Sequence, residues 1–306
     1  MSPIWSKLEF AQDGATFATL HLVSQVLGKL RIAQAPWANH GWHLTLHLTA
    51  SGLMTEPTSV ADGRTYTLAL DLCDHSIVLM TSDGTHDRIA FEDGRSIADY
   101  HDDLVAMLDH RALPSRFHGV PSEIEGAIPF ADDRAPRTYD RGSAARLRDA
   151  LAVIVPVFAQ FRAGFAGKAS PVHFFWGSFD LAVTRFSGRV APAHPGGVPG
   201  LPDVVTREAY SHEVSSAGFW PAGTIAAEPL FYSYAYPEPK GFRDGAVQVG
   251  TFDETLGEFV LPYAQVRESS DPEAILLAFL QETYALAADL GHWDRDSLER
   301  EPLPPR

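Results

Sequence analysis

The sequence predicts an α+β protein of two similar halves, each with mainly antiparallel strands packed against long helices. Three observations point there. Apolar residues recur at helical spacing in four long segments, alternating strand patterns come in batches between those segments, and the order of helix and strand batch is repeated once along 306 residues. A regular βαβ alternation, the signature of a parallel sheet, is missing.

The helices are expected at about 14–34, 96–110, 143–166 and 271–290. In the third, Leu147, Leu151, Ile154, Phe158, Phe161 and Phe165 fall on one face, which must be buried. Pro156 lies inside that pattern and should kink the helix or break it locally. The fourth opens on Asp271 and Pro272, an N-cap residue followed by the residue best suited to the first helical position. Strand patterns run through 42–49, 65–72, 76–81, 172–176, 179–186, 209–216 and 231–236.

The repeat shows where the first and third helices end. The first runs into Gly28-Lys29 and the third into Gly167-Lys168; each is followed by a proline, a His and a Trp close together, and an alternating strand closing on glycine. A period longer than a hundred residues indicates a duplicated domain. The polar Pro/Gly-containing stretch 131–143 gives the boundary, with an N-terminal half at 1–135 and a C-terminal half at 136–306, or the two merged in one compact unit.

Composition excludes several function classes. A formal net charge of −15 and a pI near 5.2 disfavour nucleic acid, whose binders neutralise phosphates with Lys and Arg. The single cysteine, Cys73, rules out an internal disulfide and a thiolate-rich metal cage. The longest apolar run, 150–159, is too short to span a membrane, and no signal-peptide pattern opens the chain, so a cytoplasmic protein is expected. No nucleotide-binding fingerprint occurs: the loop 187–203 is rich in Gly and Pro but lacks the G-x-G-x-x-G spacing. That loop reads equally as a lid or as a surface excursion.

Candidate chemistry concentrates in the second half. His173, Trp176, Asp180 and Arg185 interrupt an otherwise apolar strand pair, either as site residues or as an Asp180–Arg185 ion pair with a core histidine. His212 and Glu213 sit on the next strand beside Trp220. Adjacent strand residues face opposite ways, so Ser211-His212-Glu213 is no triad. His212 is instead expected near His173 or Glu213, as an acid–base pair or as ligands of a divalent metal. His43 and His47 lie about 13 Å apart on an extended strand, too far to share an ion easily. Tyr232, Tyr234 and Tyr236 occupy alternate positions and so share one face, either walling a small-molecule pocket or forming the wet rim of a helix-covered sheet.

The segments at 170–189, 208–221 and 231–239, together with "DHSIVLMTSDG" and "LGEFVLPY", resemble the DUF5996 family of uncharacterised bacterial proteins over nearly the whole chain. The resemblance implies no substrate and no catalytic role. From the residues themselves the expectation is an enzyme acting on a small polar or anionic molecule. In it His173, His212, Glu213 and Asp180 would be catalytic, with the first three also candidate metal ligands. Arg185, Trp176, Trp220 and the three tyrosines would bind substrate. A non-catalytic ligand-binding or sensor protein would use the same pocket.

Overall fold

The computed structural model describes residues 5–198, 200–221, 223 and 226–301; Pro199 of the Gly/Pro-rich loop lies outside them. The chain begins with α1 (Phe10–Gln34) and the strands β1 (Leu46–Leu48), β2 (Gly52–Thr55), β3 (Thr58–Ser59), β4 (Thr65–Asp71), β5 (Ser76–Thr81) and β6 (His86–Ala90), closed by α2 (Ile97–His110). After an irregular stretch come α3 (Arg141–Ala163), β7 (His173–Phe175), β8 (Asp180–Val190), α4 (Asp203–Ala209), β9 (His212–Trp220) and β10 (Leu230–Tyr236). The chain finishes with β11 (Thr251–Asp253), β12 (Glu258–Pro262), α5 (Tyr263–Arg267), α6 (Pro272–Leu290) and α7 (Arg295–Leu298).

All the strands join one antiparallel sheet, in the order β11-β12-β10-β9-β8-β7-β1-β2-β4-β5-β6, with β3 beside β4. The fold is therefore α+β. At the centre β7 meets β1 through the pair Leu46 and Phe174, so the sheet crosses the 135/136 boundary without a break.

Local chemistry explains the helices. Ser96 and Asp99 form a reciprocal capping box on α2, and the Asp140 carboxylate accepts from the Ser143 amide at the start of α3. Asp271 caps α6 ahead of Pro272, as the sequence predicts. The α3 stripe of Leu147, Leu151, Ile154, Phe158 and Phe161 is buried. The helix continues through Pro156, which faces solvent, where the lost backbone hydrogen bond costs least.

The expected strand at 42–49 is mostly a 3₁₀ turn at Asn39–Leu44, leaving three residues of strand. His40 and Gly41 adopt φ of 60° and 71°, which no strand permits. The His40 ring is held through Nδ1 on the carbonyls of Glu208 and Ala209, a tertiary contact that overrides the local alternation. The strand expected at 209–216 starts at His212, because Ala209 ends α4.

The sheet has a helical face and an open face. On the helical face Phe231 and Phe219 pack on Phe158 of α3 and Tyr263 of α5, in one hydrophobic core. The opposite face carries Asp180, His212 and the three tyrosines.

Candidate functional site

Register decides where the tyrosines go. Tyr232, Tyr234 and Tyr236 of β10 lie directly across from Gly218, Ser216 and Val214 of β9, and Gly218 lies across from Ala182 of β8. By strand alternation Asp180 shares that face. Gly218 leaves the space that the Tyr232 ring needs to cross β9, for a Cβ there would overlap the ring and its hydroxyl. Tyr232 thus donates its hydroxyl to Asp180, with Trp220 stacked on its ring at 4.2 Å between centroids.

No long helix covers this face. Among the described residues, 191–198 and 200–211 do. Tyr236 donates to the Pro192 carbonyl at 3.0 Å, His194 stacks on Tyr210, and the Tyr210 and Tyr234 hydroxyls bond at 2.8 Å. The Gly/Pro-rich loop accordingly roofs the tyrosine row.

Beneath the roof lies a group of carboxyls. Asp180 is 3% exposed and accepts from Ser178 as well as Tyr232. Burial pushes it up to about 6 in spite of those donors. It follows Phe179, whose φ of 58° is a left-handed conformation costly for a bulky side chain and which turns the chain into β8. Glu258 of β12 shares the face next to Tyr234, because Ser233 pairs with Phe259. Burial, then the charge of Asp180, pushes Glu258 up to about 8, and its Oε2 has no hydrogen-bond partner among the described residues.

Glu123 completes the group from the irregular stretch between α2 and α3. Its backbone is also left-handed, with φ of 60°, and its carboxylate lies against Gly177, where a Cβ would collide with it. Packing against Gly177 partly desolvates the carboxyl and, with the charge of Asp180, raises its proton affinity, against the pull of Lys29. The side chain nevertheless remains exposed, and it opens into a cavity of about 600 Å³.

Helix α1 fixes this corner. His21 Nε2–H donates to the Gly177 carbonyl at 2.8 Å, and Gln25 bonds the Ser122 amide and carbonyl at 2.9 Å each. Lys29 Nζ donates to Ser122 Oγ at 2.6 Å. Burial holds His21 down at about 4, so it is neutral at pH 7. Residues 121–123 of the first half and the β7–β8 turn of the second are thereby pinned to one helix.

Of the residues singled out in the sequence, Asp180, Trp220, Tyr232, Tyr234 and Tyr236 come together. The others are elsewhere. His173 is fully buried with Nδ1 on Thr45 Oγ1 at 3.1 Å and Nε2 unpartnered, and burial holds it down at about 3. His212 shares the tyrosine face but sits beyond Tyr236, its ring 6.0 Å from that of His40. Glu213 projects to the other side, bound by Arg189 at 2.6 Å and Ser187 at 2.8 Å. Strand parity separates Arg185 from Asp180: Arg185 is buried against Phe161 and Tyr284 and donates to the Phe161 carbonyl, so the two form no ion pair. Trp176 lies over Gly28 of α1 and donates Nε1–H to the Leu44 carbonyl at 2.6 Å. Among the described residues no three His, Cys, Asp or Glu side chains are grouped to hold a metal ion, His173, His212 and Glu213 included.

Glu123, Glu258 and Tyr210 escaped the sequence reading. Glu258 had a signal, a lone carboxylate in an apolar strand; Glu123 lies in a stretch without periodicity and had none.

The model of the family of unknown function DUF5996 matches residues 5–300, nearly the whole chain. No curated protein and no solved structure matches it. No helix among the described residues is long and apolar enough to cross a membrane.

Proposed function

The chain belongs to the DUF5996 family, and from that premise we propose that it is an enzyme converting a small polar molecule in the cavity beside α1, with Glu123 as general acid and base. One observation carries the reading: Glu123 is a carboxyl that lines the cavity and is reachable from it, with the charge of Asp180 beside it raising its proton affinity. Proton transfer is most effective when the pKa of the group lies near the working pH. Asp180, held by Ser178 and Tyr232, stands behind Glu123 and raises its proton affinity. In this reading Asp180 is a positioning residue and Glu123 alone touches the reacting atoms.

The test is conversion of pooled small polar metabolites followed by mass spectrometry, with wild type beside Glu123→Gln. A compound consumed by wild type, and consumed about 10²–10⁴-fold more slowly by the variant, is the expected result. Equal rates in the two proteins would remove Glu123 from the chemistry. A molecule retained unchanged by both would make the cavity a ligand-capture site.

A further inference from the structure

We infer that Lys168 is a carbonyl-reactive amine, with His40 as its base, and that this second site takes an aldehyde with a flat apolar body and holds it as an imine. Neither residue lines the cavity beside α1, so the inference goes beyond the acid–base reading of Glu123 and does not rest on it.

Lys168 belongs to one of the two Gly-Lys pairs in the sequence. Its carbonyl accepts from the Phe186 amide at 3.0 Å, which ties its backbone to β8 while the side chain stays exposed. Nζ lies 2.5 Å from His40 Nε2, 4.9 Å from the centre of the Phe186 ring and 5.4 Å from that of Trp42. His40 Nδ1 faces two acceptors, the carbonyls of Glu208 and Ala209 at 3.2 Å each, so this nitrogen carries the proton of the neutral ring. Nε2 is therefore a lone pair aimed at the lysine. The left-handed backbone of His40 holds the buried ring in that position at a cost in strain.

Lys7, by contrast, pairs with the Glu9 carboxylate at 2.7 Å. Among the described residues Lys168 makes no such ion pair, and its partner is a neutral base. Partial desolvation against the rings holds its proton affinity below the ordinary lysine range, against the pull of Glu208. His40 takes one proton from the ammonium, the freed lone pair attacks the carbonyl carbon, and the C=O π pair moves to oxygen. A second nitrogen proton passes to that oxygen through water. His40 then returns its proton to the hydroxyl, the C–O bond breaks as the nitrogen pair closes C=N, and water leaves. One ammonium and one aldehyde give one protonated imine and one water. The half-buried Trp42 offers a face on which a flat apolar body stacks, and the two rings also favour the cationic imine.

The chain has four lysines, at 7, 29, 168 and 240, so reductive trapping reads each separately. The full chain is treated briefly with 3-phenylpropanal and cyanoborohydride at neutral pH, and labelling is followed by peptide mass spectrometry, with the exposed Lys240 as internal reference. Lys168 should label at least about tenfold faster than Lys240. His40→Asn keeps a residue that tolerates positive φ and removes the base; it should bring Lys168 down to the rate of Lys240 and leave Lys240 unchanged. With propanal in place of 3-phenylpropanal the advantage of Lys168 should shrink about threefold or more, for want of one aromatic contact. If His40→Asn melts early, the comparisons of two lysines and two aldehydes in the wild type decide by themselves. Equal labelling of Lys168 and Lys240, an advantage undiminished in a folded His40→Asn, or the same advantage with propanal would each overturn the inference.

Discussion

At the scale of single residues, the Tyr232 hydroxyl is the contact on which the acidic group turns. It gives Asp180 one of two side-chain donors and lowers the carboxyl's proton affinity. Tyr232→Phe should therefore cost about 1–3 kcal/mol, the usual penalty for a buried group left short of a partner, and should move Asp180 above its value of about 6. Urea denaturation and carboxyl-detected NMR titration measure the two effects; an unmoved Asp180 would show that burial alone sets its proton affinity. Asp180 and the tyrosines were legible in the sequence because a strand advertises its faces by alternation. Arg185 was legible as a buried charge, yet parity alone could not say that its partners would be aromatic rings and a carbonyl on the helical face. Glu123 was invisible, since its position depends on Gln25 and Lys29 seizing Ser122 about a hundred residues earlier in the chain.

Among the elements, α1 shows how packing reverses a propensity. Glycine inside a helix costs roughly 0.5–1 kcal/mol relative to alanine, so replacing Gly28 by Ala would ordinarily stabilise. Here a Cβ would overlap the Trp176 indole, whose Nε1–H is fixed on the Leu44 carbonyl. Gly28→Ala is expected to destabilise by about 1–3 kcal/mol, as overpacking does, seen as an earlier denaturation midpoint; a gain in stability would show that Trp176 moves aside freely. The long helices were readable from periodicity and caps to within a few residues. The 3₁₀ turn at Asn39–Leu44 was not, because its left-handed pair depends on α4, more than 160 residues away.

For the whole molecule, buried titratable groups set how stability varies with pH. Asp180 and Glu258 bind protons more tightly folded than unfolded, so from about pH 4 up to their folded values of about 6 and about 8 the native state holds the extra protons and stability falls as pH rises. His21 and His173 act the other way. Their folded values of about 4 and about 3 lie below the ordinary 6.5, and the stability they confer is lost as pH falls from 6.5 towards those values. Between about pH 4.5 and 6.5 the histidines and carboxyls oppose each other, and above 6.5 the Glu258 decline is left, so a melting temperature that falls from pH 6.5 to 8 is expected, with Glu258→Gln flattening that fall; an unchanged decline would exclude Glu258 as a contributor. The sheet adds a different consequence. Its two halves meet at β1 and β7 through a single paired position, while the cavity is walled by α1 and residues 121–128 from one half and by Gly177, Ser178 and Val198 from the other. A molecule held there acts as a thermodynamic latch across the seam: every tenfold rise in its concentration above the dissociation constant adds about 1.4 kcal/mol to any opening that separates the walls. Amide hydrogen exchange at Leu46 and Phe174 should slow in proportion to occupancy, and exchange indifferent to ligand would show that the seam opens without disturbing the cavity.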